Sequence, residues 1–147
     1  MTNYLDIISL ATAKLYLKID GGQTATDAEI TGMINSALSL IEKQTNIIMF
    51  PRSKQYFGAD YVIVYDYPIN SPPANTTKKT LYSIVPTIGG EVTLNVGAQT
   101  VGEIPAELID AALQVINFWF YNSETQNAQN TLPNFVGTVI DTNRRFV

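Results

Sequence analysis

Two carboxylate pairs have a spacing that could put an acid and a base on one helical turn: Glu107 with Asp110, and Asp27 with Glu29. Such a pair can donate and accept a proton across a scissile bond. Both, however, stand where an apolar-periodic segment begins, and there the helix dipole and capping already favour anions. They read as helix-start residues rather than catalysts. The chain has no His and no Cys, which removes the commonest general base, thiol nucleophiles, disulfides and zinc held by Cys or His. Asp20-Gly21-Gly22 is followed by residues that lack the alternating oxygen ligands of a Ca²⁺ loop. No P-loop, dinucleotide fingerprint or Gly-x-Ser-x-Gly elbow occurs. The sequence predicts a protein that is not an enzyme and needs no cofactor or metal.

Binding chemistry is also narrow. Nine Lys and Arg against thirteen Asp and Glu leave a formal net charge of −4. The surface as a whole therefore cannot hold nucleic acid by displacing counterions, although a local basic patch could touch phosphate. Lys78-Lys79 and Arg144-Arg145 are the adjacent basic pairs. Tyr56, Tyr61, Tyr65, Tyr67 and Tyr82 lie in strand-like stretches, where tyrosine serves sheet packing and interfaces more often than base stacking. A Tyr-rich sheet also admits a different function, a stand-alone module that recognises a peptide or a carbohydrate. No run of about 20 apolar residues exists, so no membrane partner is expected. The amino-terminal stretch lacks the basic region of a signal peptide, which predicts synthesis in the cytoplasm.

The elements that would position these groups follow from periodicity. Ser9 can cap a short helix whose apolar positions are Leu10, Ala13 and Leu17, closed by Gly21 and Gly22. Thr26 and Glu29 have capping-box spacing, and Ile30, Met33, Ile34, Ala37, Leu40 and Ile41 continue as one apolar face. From Met49 the residues turn β-branched and aromatic, Val92, Leu94 and Val96 alternate with polar neighbours, and Gly89-Gly90 suits a tight turn. Pro105 opens a third helix with Leu108, Ala112, Val115 and Trp119 in one stripe, widened by Ile109, Ile116 and Phe120. A polar stretch, 122–131, then precedes an apolar strip that ends in arginines.

Several of these positions form an ordered set. Tyr16, Leu17, Lys18, Ile19 and Asp20 make a turn after the short helix, Asp27, Ile30 and Ile34 open the long one, and Thr45-Asn46 ends it. Pro105, Ala111, Trp119, Tyr121, Leu132, Pro133 and Arg144 follow in the last third. In this order and spacing they resemble the head-to-tail connector, or adaptor, proteins of tailed bacteriophages. Those proteins usually have Thr-Gly where Thr45-Asn46 stands. They commonly carry Arg or His around the Trp-Tyr element, where this chain has Phe118, Phe120, Asn122 and Ser123. The strand-rich middle, 50–102, has no counterpart in the pattern and reads as a lineage-specific insertion. The resemblance implies a virion protein of the neck, made in the host bacterial cytoplasm. It implies a homo-oligomeric ring of roughly a dozen copies under the portal protein. Such a ring extends the DNA channel, touches packaged DNA transiently and without specificity, and offers a platform to stopper or tail proteins.

The expected fold is α+β: a small helical core of three main helices, an antiparallel hairpin or sheet module inserted before the last helix, and an extended C-terminal tail. Residues 1–121 would form a single adaptor domain containing the 50–102 module, 122–131 a polar linker, and 132–147 a partner-binding tail. The tail is expected to order on the portal or a neighbouring subunit through Leu132, Pro133, Phe135, Val136, Val139, Ile140, Arg144, Arg145 and Phe146. A free terminus with nothing to bind usually frays and need not be apolar. The breadth of the third helix's stripe predicts inter-subunit contacts from Ile109, Ile116, Phe118 and Phe120. The proline-containing stretch from Asn70 to Lys79 is expected to project as a loop, with Lys78 and Lys79 as its contact to DNA or a partner.

Overall fold

The computed structural model describes residues 1–79, 81–122 and 132–144. A 3-10 turn at Tyr4–Asp6 leads into helices α1 (Leu10–Tyr16) and α2 (Asp27–Thr45). Six strands follow: β1 (Arg52–Phe57), β2 (Tyr61–Val64), β3 (Ile69–Asn70), β4 (Thr77–Lys78), β5 (Ser83–Pro86) and β6 (Glu91–Val96). After a second 3-10 turn at Val101–Glu103, the chain closes with α3 (Ala106–Tyr121) and α4 (Asn134–Asn143). The fold class is α+β, as expected, but with a fourth helix where an extended tail was expected.

The helices enclose the larger core, to which α2 gives Ile30, Ile34 and Ile41, α3 Leu108 and Ile116, and α4 Val136 and Ile140. The strands form two antiparallel three-stranded sheets, ordered β1-β6-β3 and β2-β5-β4. Ile48, Val62, Val64, Val85, Leu94 and Val96 make a second, smaller core of their own. Gly89 and Gly90 take φ of 65° and 87° and close a tight turn, with the Ile88 N–H donating to Glu91 O at 3.1 Å. The glycines allow the turn as expected. Yet β5 and β6 leave it for different sheets, so the turn joins the sheets instead of pairing its own strands.

Glu42 fastens the helical core to the strand module. It is buried near the end of α2, where Oε2 accepts from the Met49 N–H at 2.8 Å and Oε1 meets the Arg52 guanidinium. That guanidinium lies 4.9 Å from the centroid of the Phe50 ring, which in turn meets Tyr4 edge-on at 5.1 Å. Burial, and the neighbouring Glu42 carboxylate, push the Tyr4 phenol above its usual pKa. A second close approach, at Gly97, fixes where β6 ends. Its φ is +112°, and a Cβ there would lie 2.2 Å from Phe50 O, so only glycine fits.

Three local expectations are corrected. Thr26 sits at φ −102°, ψ 3° and makes no capping bond, because its backbone is not in the extended geometry that aims a cap hydroxyl at the next turn. The capping box is instead at the first 3-10 turn, between Asn3 and Asp6. Lys18, with φ of 58°, follows the end of α1 in the left-handed region, so Gly21 and Gly22 do not terminate it. The loop beyond is held by Lys14, 4% exposed, whose Nζ donates to Gly21 O at 3.0 Å and Asp27 Oδ1 at 2.8 Å and also to Gln23 O.

Candidate assembly surfaces

The C-terminal strip is the first candidate surface, and the structure changes its reading. Pro133 opens α4 just as Pro105 opens α3, and α4 packs back on the chain's own helices. Val136, Val139 and Ile140 face the core at 0%, 8% and 1% exposure. They recur at i, i+3 and i+4, so one helical face takes all three inward. They are not free to meet a partner, which corrects the expectation of an extended tail. Leu132 is half-buried against the same core, Pro133 is half-buried, and Phe135 is exposed. Arg144 is tied to its own domain, with Nε donating to Gln44 O at 3.2 Å and the guanidinium 3.6 Å from Asp141. Arg145, Phe146 and most of the 122–131 linker lie outside the described residues.

The second candidate, the broad face of α3, is largely consumed inside the protomer. The helix runs between α2, α1 and α4, and this explains its wide apolar circumference. Ile116 is fully buried, which corrects its assignment to a neighbour, because a side chain with no exposed surface cannot reach one. Ile109, Phe118 and Phe120 are partly buried and rest against the same core. Tyr121, 62% exposed, donates its hydroxyl to Leu17 O at 2.7 Å and so pins the end of α3 to the end of α1.

Lys78 and Lys79 are exposed beside the outer strand of the second sheet. The expected loop from Asn70 to Lys79 is shorter than its sequence suggested, because Asn70 belongs to β3 and Thr77–Lys78 to β4. The tyrosines expected to share a sheet are divided between the two sheets and their connections. Tyr56 gives its hydroxyl to Asp66, which also receives Lys54 Nζ at 2.9 Å, while Tyr65 and Tyr82 pack together at 6.0 Å. Burial, followed by the bond to the Asp66 carboxylate, raises the Tyr56 pKa well above its ordinary value. That hydroxyl is a structural donor and is not presented to a ligand.

One surface escaped the sequence reading. The β1–β2 turn is clamped to the Gly89-Gly90 turn by Gly58 N–H to Gly90 O and Thr87 N–H to Asp60 O, each 3.0 Å, and by the Thr87 hydroxyl on Ala59 O at 2.9 Å. The resulting tip exposes Phe57 at 71%, Tyr61 at 59% and Ile88 at 89%. The sequence carried one signal of it, an isoleucine directly before a Gly-Gly turn, where polar residues are usual. Among the described residues no group of three His, Cys, Asp or Glu is placed to hold a metal, and no helix is long and apolar enough to cross a membrane.

No protein-family model matches the chain, and no curated protein matches it significantly. Solved structures do. A chain from the neck of an empty gene transfer agent (GTA) particle, computed with C6 symmetry, superposes with a TM-score of 0.74 at 17% identity, over 100% of this chain and 94% of that one. The fold is shared with neck chains of gene transfer agent particles. A chain of the native GTA virion superposes at 0.71, and one from the native neck, computed with C12 symmetry, at 0.68; both are 13% identical over the same coverage. This neck-chain fold includes residues 50–102, because the superposition takes in the whole chain. The strand-rich module is thus part of the shared fold, which corrects its reading as a lineage-specific insertion.

Proposed function

We propose that this chain is a structural subunit of a phage-like neck: a head-to-tail adaptor whose copies close into a ring under a portal, extend the DNA channel and carry the stopper or tail. The observation that supports this most is the full-length likeness to chains of symmetric GTA neck assemblies. It agrees with the resemblance carried by residues 16–46 and 105–144, which rests on motifs and not on the superposition. An acidic chain suits a channel wall, since DNA must pass along it without being gripped.

Within this reading, the surfaces left open are assigned as follows. Phe135 at the exposed start of α4, together with Arg145 and Phe146, docks on the portal. Phe118 and Phe120 reach a neighbouring copy with whatever surface the core leaves free. Lys78 and Lys79 touch passing DNA or an adjacent protein. The experiment is to add purified protein to portal-bearing heads that lack a neck and to recover the heads by sedimentation. Stoichiometric, saturable binding to heads with a portal, and none to heads without one, is expected. Equal recovery with both kinds of head would overturn the reading.

A further inference from the structure

The second sheet has two edges, and they are treated differently. β4 and the residue after it place Lys78 and Lys79 beside one edge, a standard guard against unwanted pairing. The other edge, β2, reads Tyr-Val-Ile-Val, with no lysine and no proline. Its outward side chains, Tyr61 and Ile63, are 59% and 47% exposed. Ile88 and Phe57 extend this apolar surface across the tip, where Asp60 and Glu91 are exposed carboxylates with no cation paired to them among the described residues; Glu91 Oε2 accepts from Gln55 Nε2 at 2.9 Å, a neutral donor that leaves its charge uncompensated. An unguarded apolar edge of this kind is an aggregation hazard unless something covers it.

A second patch has the complementary character. Leu15 and Tyr16 on α1 are 80% and 44% exposed, and Tyr121 lies against the end of the same helix. Lys18 stands beside them, exposed and without an ion pair among the described residues, while the nearby Asp20 carboxylate accepts from the Gly22 N–H at 2.9 Å. This patch lies on helices α1 and α3, and the tip on the turns of the strand module. One protomer can therefore offer both at once, as a ring contact between unlike faces requires.

We infer that the tip and the open β2 edge of one copy are covered by the α1 patch of the next copy, with Lys18 facing Asp60 and Glu91. The inference deepens the ring reading above and rests on it. A helix lying over the edge protects it without adding a strand, one of the usual ways to shield a sheet.

Cysteine cross-linking tests the contact, because the chain has no cysteine of its own to give a background. Ile88→Cys and Leu15→Cys are prepared singly and together, then oxidised alone and on portal-bearing heads. The mixed single variants should form a covalent dimer that neither forms alone, and the double variant should form a ladder of oligomers. Independently, Ile88→Asp should weaken association roughly 10- to 100-fold, as expected for losing one buried isoleucine, with an unchanged melting temperature. Lys18→Glu should weaken it a further few-fold and be partly rescued by Asp60→Lys. Self-cross-linking of Ile88→Cys as strong as in the mixture would overturn the contact. So would rings of normal affinity from Ile88→Asp, or loss of portal attachment alone with rings intact. Those results spare the ring reading. A parent chain that assembles neither alone nor on the portal sinks both.

Discussion

Replacing Ile140 by Ala tests whether the C-terminal strip belongs to the protomer. The side chain is 1% exposed on α4, packed in the helical core with Val136 and Val139. Truncating a buried isoleucine costs about 2–5 kcal/mol in lost transfer energy and the cavity left behind. For a chain of this length each kcal/mol lowers the melting temperature by about 2–4 °C, so a drop of roughly 4–20 °C is expected. Phe135, 53% exposed on the same helix, is the control; Phe135→Ala should cost less than about 1 kcal/mol. Thermal melts followed by circular dichroism, with urea titrations showing a lower midpoint and an unchanged slope, read both. A tail that orders only on a partner predicts no shift for either variant in the isolated chain. An Ile140→Ala melt within a degree of the parent would therefore refute the packing of α4.

Other outcomes follow from single side chains. Lys14→Met removes the cation that holds the 20–27 loop to α1 and leaves Asp27 unpaired, so amides of residues 21–27 should exchange with solvent faster while those of α3 do not change. Gly97→Ala should prevent folding or lower stability by more than about 2 kcal/mol, because its Cβ would meet Phe50 O and its φ is positive; a wild-type melt would contradict the close approach. The Tyr56 phenol is harder to ionise folded than unfolded, so its contribution is complete below about pH 10 and is lost as the pH rises beyond that. Tyr56→Phe should thus flatten the alkaline fall in stability, measured by urea midpoints, and an unchanged fall would deny that role. If Lys78 and Lys79 only guard the sheet edge, changing both to Ala leaves DNA retention in filled heads unaltered and raises aggregation; lost retention would assign them to DNA.

Much of the helical fold was legible because its signals are local. Ser9 does cap α1, accepting from the Thr12 N–H at 3.1 Å, and Asn46 takes the left-handed φ of 57° at the position where glycine is usual in the resembling proteins. Helix α4 was legible in principle: a proline followed by Val136, Val139 and Ile140 repeats the pattern that announced α3. The polar stretch before it and its β-branched content hid the pattern behind the look of a tail. The roles of Lys14 and Glu42 could not be read, because burial of a charge is decided by partners distant in sequence or in another element. The tip at Phe57, Tyr61 and Ile88 was hidden for a related reason. Its residues come from two turns brought together only by the pairing of the sheets, and strand-like composition does not say which apolar side chains remain outside.

The central claim, that copies of this chain form a ring beneath a portal, is tested most directly by cryo-electron microscopy of portal-bearing heads incubated with the purified protein and reconstructed around the portal axis. The account predicts a single closed ring coaxial with the portal, with the strand-module tip of each copy against α1 of the next and α4 folded on its own helices. Heads that bind the protein at scattered sites, or carry no added density below the portal, would contradict it.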